Sequence, residues 1–412
     1  MIAAMIVFSS CSNHDVEPQK AGPRANPDGS GLSTSATGKP GTSFPSYNTS
    51  PLPPDATGMS SNAVQLAAKI SLGWNLGNTL EAIGGETAWG NPQATQALID
   101  KVKASGFNAI RIPCTWNQYA DARTAKIQDA WLERVKQVVQ YCVNDGLYVI
   151  LNAHWDNGWL DAHINTRDQA SVNAKQKAYW EQIATKMRDF DEHVIFAGTN
   201  EPPVENATQM NVLLSYHQTF INAVRSTGGR NSYRVLVFQG PSTDIDKTTA
   251  LMNTLPTDQV PGRLMAEVHY YAPWQFCGLE QDASWGTMFY YWGNGFHSTT
   301  DPSRNANWGE ESYVIEEFQK MKTKFVNNGI PVVLGEYGVI RRLSLTGDAL
   351  TLHLASRAYW NKYITQQAKA HGLIPFYWDN GYLSDLQFGI FNRTTYAVGD
   401  QQVLDALVQG AQ

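Results

Sequence analysis

The stretch HVIFAGTNEPP, residues 193–203, decides how the rest of the chain is read. Its first part, His193 to Ala197, is a continuous apolar run after the histidine, the pattern of a strand buried on both faces in a parallel sheet. It then ends in an amide, Asn200, and a carboxylate, Glu201, followed by two prolines that lack the N–H a strand ladder needs. A carboxylate carried to the end of a buried strand calls for an explanation beyond packing.

Working outward, short β-branched and apolar runs alternate with segments of helical period from about residue 61 onward, which predicts successive βα units and a parallel sheet. The expected strands are Ile70 to Leu76, Phe107 to Ile112, Leu147 to Asn152, Val194 to Thr199, Arg234 to Gln239, Leu264 to Tyr270, Pro331 to Glu336 and Leu373 to Trp378, eight in all. Between them, Leu132, Val135, Val139 and Cys142, and then Leu213, Phe220 and Val224, repeat at helical spacing. Gly106, Gly146, Gly329 and Gly372 each precede a strand, where a left-handed helix C-cap is expected. Eight such units predict an α/β fold, a (β/α)8 TIM barrel with long loops over residues 61–412; an open doubly wound sheet does not usually run to eight regular units.

The first residues, MIAAMIVFSSC, are too short to span a bilayer and match the end of a lipoprotein signal, with Cys11 as the lipidated residue. The basic n-region is missing, which fits either a start site assigned too late or no signal at all. Residues 1–11 are expected to be a signal remnant, and the chain to sit at the cell surface or in the periplasm as an outer-membrane lipoprotein, with secretion as the alternative. Residues 12–60, rich in Pro, Gly, Ser, Thr and Asn, are expected to be a flexible tether. Within them ATGKPGTS imitates part of a phosphate loop, but no strand precedes it, its glycine is misplaced and Pro40 follows the lysine.

A formal net charge of -6 leaves no electrostatic footprint for nucleic acid. Contact with a membrane is expected only through the anchor at Cys11. The cysteines, Cys11, Cys114, Cys142 and Cys277, form no CxxC pair and no Cys/His cluster, so no metal and no cofactor are expected. Cys142 lies on the apolar face of a helix, and Cys114 and Cys277 follow strands at one end of the barrel, so a disulfide between them is open but nothing in the sequence supports it.

In a TIM barrel the residues at the C-terminal strand ends form one site. Here they are Asn75 and Asn78 around strand one, Arg111, His154, the pair Asn200–Glu201, His269 and Tyr271, Glu336, and Trp378. Singly, each has a packing or capping explanation; packing has no reason to gather all of them at one mouth. Two carboxylates there, without a nucleophile elbow or a dinucleotide loop, leave acid–base work on an uncharged substrate. Glycoside hydrolysis needs such a pair, with environments that drive the two pKa values apart. Arg111 could hold one glutamate ionised, while Glu201, beside neutral Asn200 and Pro202, lacks an adjacent cation and reads as the protonated acid.

These stretches resemble glycoside hydrolase family 5, in particular its bacterial endoglucanase-like members: GWNLGNTLEA, FNAIRIP, ILNAHWD, TNEPP, VHYYAPW, GEYG and FYWDNG, in that order from Leu72 to Asn380. The resemblance implies a retaining double displacement with Glu201 as general acid/base and Glu336 as nucleophile. It also implies that Arg111 and Tyr271 orient Glu336, that Asn200 bonds the sugar 2-hydroxyl, that His154 and His269 line the cleaving subsite, and that Trp378 stacks beneath the sugar. One departure is Trp155, where members with WNLGNT often carry a second histidine.

Of the thirteen tryptophans, Trp131, Trp180 and Trp360 fall in helices and read as core. Trp89, Trp116, Trp155, Trp159, Trp274, Trp285, Trp292, Trp308 and Trp378 fall at strand ends or in the loops that follow, as an aromatic-walled sugar groove requires. The candidate substrate contacts are Asn75, Trp89, Trp155, Trp274 and Trp378, and the long segment between Ala272 and Glu311 is expected to shape one end of the cleft. The expected function is an endo-β-1,4-glucanase acting, as a monomer, on cellulose, mixed-linkage glucan or xyloglucan. β-Mannanase, xylanase and a non-catalytic glycan-binding lipoprotein are the alternatives; the intact carboxylate pair argues against the last.

Overall fold

The computed structural model describes residues 43–412; the expected signal remnant, Cys11 and the first part of the tether lie outside the described residues. Eight strands close into a parallel barrel. They are β1 (Gly73–Leu76), β2 (Ala109–Ile112), β3 (Tyr148–Asn152), β4 (Val194–Ala197), β5 (Leu236–Gln239), β6 (Leu264–Tyr270), β7 (Val332–Tyr337) and β8 (Leu373–Asp379), with β8 pairing back onto β1. Outside them run α1 (Gln96–Ala104), α2 (Asp129–Asn144), α3 (Gln169–Lys186), α4 (Ala207–Ser226), α5 (Ile245–Leu251), α6 (Glu311–Lys324), α7 (Gly347–Ala370) and α8 (Gln401–Gly410).

The helices form where the apolar spacing predicts. In α2, Trp131, Leu132, Val135, Val138, Val139 and Cys142 make one buried face. The four expected capping glycines all have positive φ. Trp131, Trp180 and Trp360 are core residues.

The lower half of the barrel interior is filled by Ala109, Ile150, Ile195, Val235, Val237, Met265, Val333, Ile374 and Phe376, one apolar cluster to which Ala63 and Leu66 of a short helix, Ala63–Ala67, also belong. Cys114, Cys142 and Cys277 are buried free thiols, so the pairing of Cys114 with Cys277 is not formed.

The last part of the expected tether, residues 43–60, is ordered against the barrel, where it lies on α3 and the end of α4. The Tyr47 amide donates to Glu181 at 2.7 Å, the Tyr47 hydroxyl to the Thr124 carbonyl at 2.7 Å, and Asn48 Nδ2 to the Ser226 carbonyl at 2.8 Å. Leu52–Pro54 then pairs in parallel with Gly228–Gly229. The approach is so close that a Cβ on Gly228 would lie 1.7 Å from the Leu52 carbonyl oxygen. Hydrogen bonds dock the segment together with Phe44 and Tyr47, which pack on the core, and Met59, which is buried; these apolar anchors are scattered among polar residues and leave no periodic pattern, which is why the composition concealed them.

Candidate active site at the barrel mouth

Above the apolar layer the interior turns polar within one or two residues on nearly every strand. Period-two alternation carries β6 from Met265 to Glu267 and His269 and on to Tyr271, all facing inward. On β7 the alternation is broken. Val268 pairs with Leu334 but His269 with Glu336, and the same slip recurs against β8, so Gly335 is an extra residue. The bulge lets Gly335 and Glu336 both face the interior.

Arg111, fully buried, is the hub. Its Nη1 donates to Glu336 Oε1 at 2.8 Å and to Asn75 Oδ1 at 3.0 Å, and its Nη2 to Asn200 Oδ1 at 2.7 Å. Its Nε lies 2.9 Å from Glu267 Oε1, a charge contact rather than an aligned hydrogen bond. The Tyr271 hydroxyl donates to the other oxygen of Glu336 at 3.1 Å. Burial pushes the Glu336 carboxyl up, against the pull of His269 and Arg111, and Glu201 opposite adds to the rise.

His269 lies among three carboxylates. Its Nδ1 is 2.7 Å from Glu201 Oε1 and 3.8 Å from Glu336 Oε2, and its Nε2 is 3.2 Å from Glu267 Oε1. Burial alone would lower its pKa; Glu336, Glu201 and Glu267 outweigh it and push it up to about 9. Glu201 therefore does have a cation beside it, contrary to the expectation from its sequence neighbours. The cation comes from two strands away, which sequence adjacency does not report.

His154 is the opposite case. Burial, with Arg111 and His269 nearby, holds it well below its ordinary pKa, so it is neutral. Its Nδ1 faces Asn152 Nδ2 at 3.1 Å and must accept there, leaving Nε2–H to donate.

Asn75 does not line the cleft. It is fully buried, its Oδ1 accepts from Arg111, and its Nδ2 donates to the carbonyls of Gly335, Tyr377 and Phe376. It holds the hub and the bulge. Among the tryptophans, Trp155 is 47 % exposed, and Trp89, Trp274 and Trp378 are partly open. Trp274 packs edge-on against Tyr271, and the Trp378 ring lies parallel to His154, 6.1 Å between centroids. Trp116, Trp159 and Trp292 are buried; Trp292 packs on Tyr359 and Trp360 of α7, so part of the 272–311 segment is core. Trp285 and Trp308 are exposed.

Glu267 and Gln239 join the network unannounced by the strand-end reading. The signal for Glu267 was a carboxylate inside an apolar strand, two residues before His269.

Glu201, His269 and Glu336 each offer a ligand atom within 4.8 Å of the others. A cation held there would have to displace the proton of a histidine kept charged by carboxylates and sit beside Arg111. The donor set suits a proton better than a metal ion.

An oxygen of Glu201 and one of Glu336 within 4.8 Å of each other match the close carboxyl spacing, about 5–5.5 Å, of retaining glycosidases rather than the ~6.5–9.5 Å of inverting ones. Barrel and mouth together define a glycoside hydrolase. The sequence profile of cellulase (glycosyl hydrolase family 5) matches residues 75–384. The chain is 37% identical over 389 residues to the xyloglucan-specific endo-β-1,4-glucanase of Bacteroides ovatus, covering 89% of this chain and 74% of that one. It is 38% identical to endoglucanase A of Paenibacillus barcinonensis, covering 85% of this chain and 90% of that one. Its structure superposes on the Bacteroides ovatus family 5 xyloglucanase in complex with a XXXG heptasaccharide with a TM-score of 0.82 at 35% identity, over 90% of this chain and 80% of that one. The chain belongs to glycosyl hydrolase family 5.

Proposed function

We propose that the chain is a retaining endo-β-1,4-glucanase, with Glu336 as nucleophile and Glu201 as general acid/base, and that xyloglucan is among its substrates. The observation that carries the mechanism is the close pair of carboxylates, one gripped by Arg111 and Tyr271 and the other open to the cleft. Xyloglucan is supported by the similarity to the Bacteroides ovatus enzyme.

In this reading Glu336 attacks the anomeric carbon while Glu201 gives its proton to the glycosidic oxygen, releasing the leaving sugar and forming a glycosyl–enzyme ester. Glu201, now ionised, takes a proton from water, whose oxygen attacks the anomeric carbon and frees Glu336. With its Oδ1 held by Arg111, Asn200 turns Nδ2 toward the sugar 2-hydroxyl. Neutral His154 donates from Nε2, and Trp378 offers the sugar a flat face. A lipid anchor at Cys11, with a cell-surface or periplasmic location, belongs to the same reading and rests on the sequence alone; loss of acyl labelling in Cys11→Ser would test it.

The purified enzyme is expected to cleave xyloglucan, mixed-linkage glucan or soluble cellulose with net retention, read by proton NMR of the first product. Glu336→Ala is expected to lose activity by on the order of 10⁴-fold or more. No cleavage of any glucan, a preference for mannan or xylan, or inverted product would overturn the assignment.

A further inference from the structure

We propose that Glu267 is a positioning residue for this hydrolysis, a third carboxylate beneath the catalytic pair that holds Arg111 and the doubly protonated ring of His269 and so sets how many protons the cluster keeps. The proposal rests on the glucanase reading above.

Nothing in barrel packing calls for a carboxylate here. The next inward residue below it on β6, Met265, belongs to the apolar layer. Glu267 is fully buried, and an uncompensated carboxylate at such a place would be costly. Instead every direction is provided for. Oε1 meets Arg111 Nε at 2.9 Å and His269 Nε2 at 3.2 Å, and Oε2 accepts from Gln239 Nε2 at 2.5 Å. The Gln239 amide cannot turn round, because its Oε1 accepts from the Thr199 amide at 3.0 Å and the Thr199 hydroxyl at 2.9 Å. Thr199 leads directly into Asn200 and Glu201. From β7, Gly335 leaves the space open; a Cβ there would sit 2.0 Å from Glu267 Oε1. Five strands thus shape one buried carboxylate that does not itself reach the cleft.

Its effect follows from charge. Arg111 and the imidazolium of His269 are two cations facing three carboxylates, Glu201, Glu267 and Glu336. With one proton on the catalytic pair the cluster is neutral. Asn75, Asn200, Tyr271 and neutral His154 add no charge, and the Asp161 carboxyl, which faces Glu201, is pushed well above its ordinary pKa by burial and by Glu201 and Asp156. Without the charge of Glu267 the cluster becomes positive and gives up its next proton more readily, whether from the pair or from His269. Either loss removes the arrangement that protonates the leaving oxygen.

The test is a pair of variants with pH profiles. Glu267→Gln is expected to move the alkaline limb of kcat/KM down by about one pH unit or more and to lower kcat at the optimum about tenfold, with KM within a few-fold. Glu267→Asp, which keeps the charge, is expected to lose rate but leave the limb in place. Equal rate losses with unchanged limbs in both variants would mean a purely structural role and overturn the proposal. Should Glu267→Gln fail to fold, histidine-labelled wild-type enzyme still decides. The resonance missing from a His269→Asn variant should keep both ring nitrogens protonated at pH 7.5, and a neutral tautomer there would overturn the proposal. This readout needs no turnover, so inactive wild-type enzyme would sink the glucanase reading without touching the charge network.

Discussion

The two halves of the barrel interior are built from the same strands and obey different physics. Below, β2, β3 and β7 contribute Ala109, Ile150 and Val333, side chains with no polar atom to satisfy. Above, they contribute Arg111, Asn152 and Glu336, where almost every polar atom meets a polar partner. The lower layer tolerates a lost contact in proportion to the volume removed. In the upper layer one missing partner leaves a charge buried without compensation, so its members rise and fall together.

The sharpest way to break this contrast is at the hub. Arg111→Met should cost about 3–5 kcal/mol of stability, because Glu267 and Glu336 are left buried and unpaired. It should also lower kcat by on the order of 10²–10³-fold. Denaturant unfolding and steady-state kinetics on one preparation would measure both; a folded, fully active variant would refute the coupling. In the lower layer, Ile150→Ala should cost about 2–5 kcal/mol. Its kcat should be close to wild type well below the melting temperature, since no atom of Ile150 belongs to the mouth. A large loss of kcat in a folded sample would mean the layers are mechanically linked.

The third break is in pH. His269 is raised in the folded state from 6.5 to about 9, so its contribution to stability is complete below 6.5 and is lost as pH rises through about 9. Melting temperature should therefore fall over that window, and His269→Asn should show a shallower fall. Parallel curves for the two proteins would assign the slope to other groups.

The barrel was legible because strands buried on both faces read as uninterrupted apolar runs, and the mouth because polar residues stand directly at their ends. Glu201, Glu336, Arg111 and His269 were recognisable as members of one site for that reason. What decided their electrical relations was not, since the partner of Glu201 is His269 on β6 and register is invisible to sequence spacing. Asn75 shows the same limit. Its type and place suggested a sugar contact, yet its amide is consumed by the carbonyls of β7 and β8 and by Arg111. Residues 43–60 escaped because their hydrogen bonds and a few isolated apolar anchors, Phe44, Tyr47 and Met59, make no periodic pattern in a stretch of polar composition.

The bulge at Gly335 has a consequence for anyone who would build such a site anew. In an ideal eight-stranded barrel, strict alternation sends neighbouring residues of a strand to opposite faces. Here one strand must both vacate space for Glu267 and, at the very next position, project Glu336 into the cavity. Symmetry cannot supply that. Glu336 owes its aim to a single inserted residue, so a designer grafting these carboxylates onto a regular scaffold would need to copy the irregularity before copying the side chains.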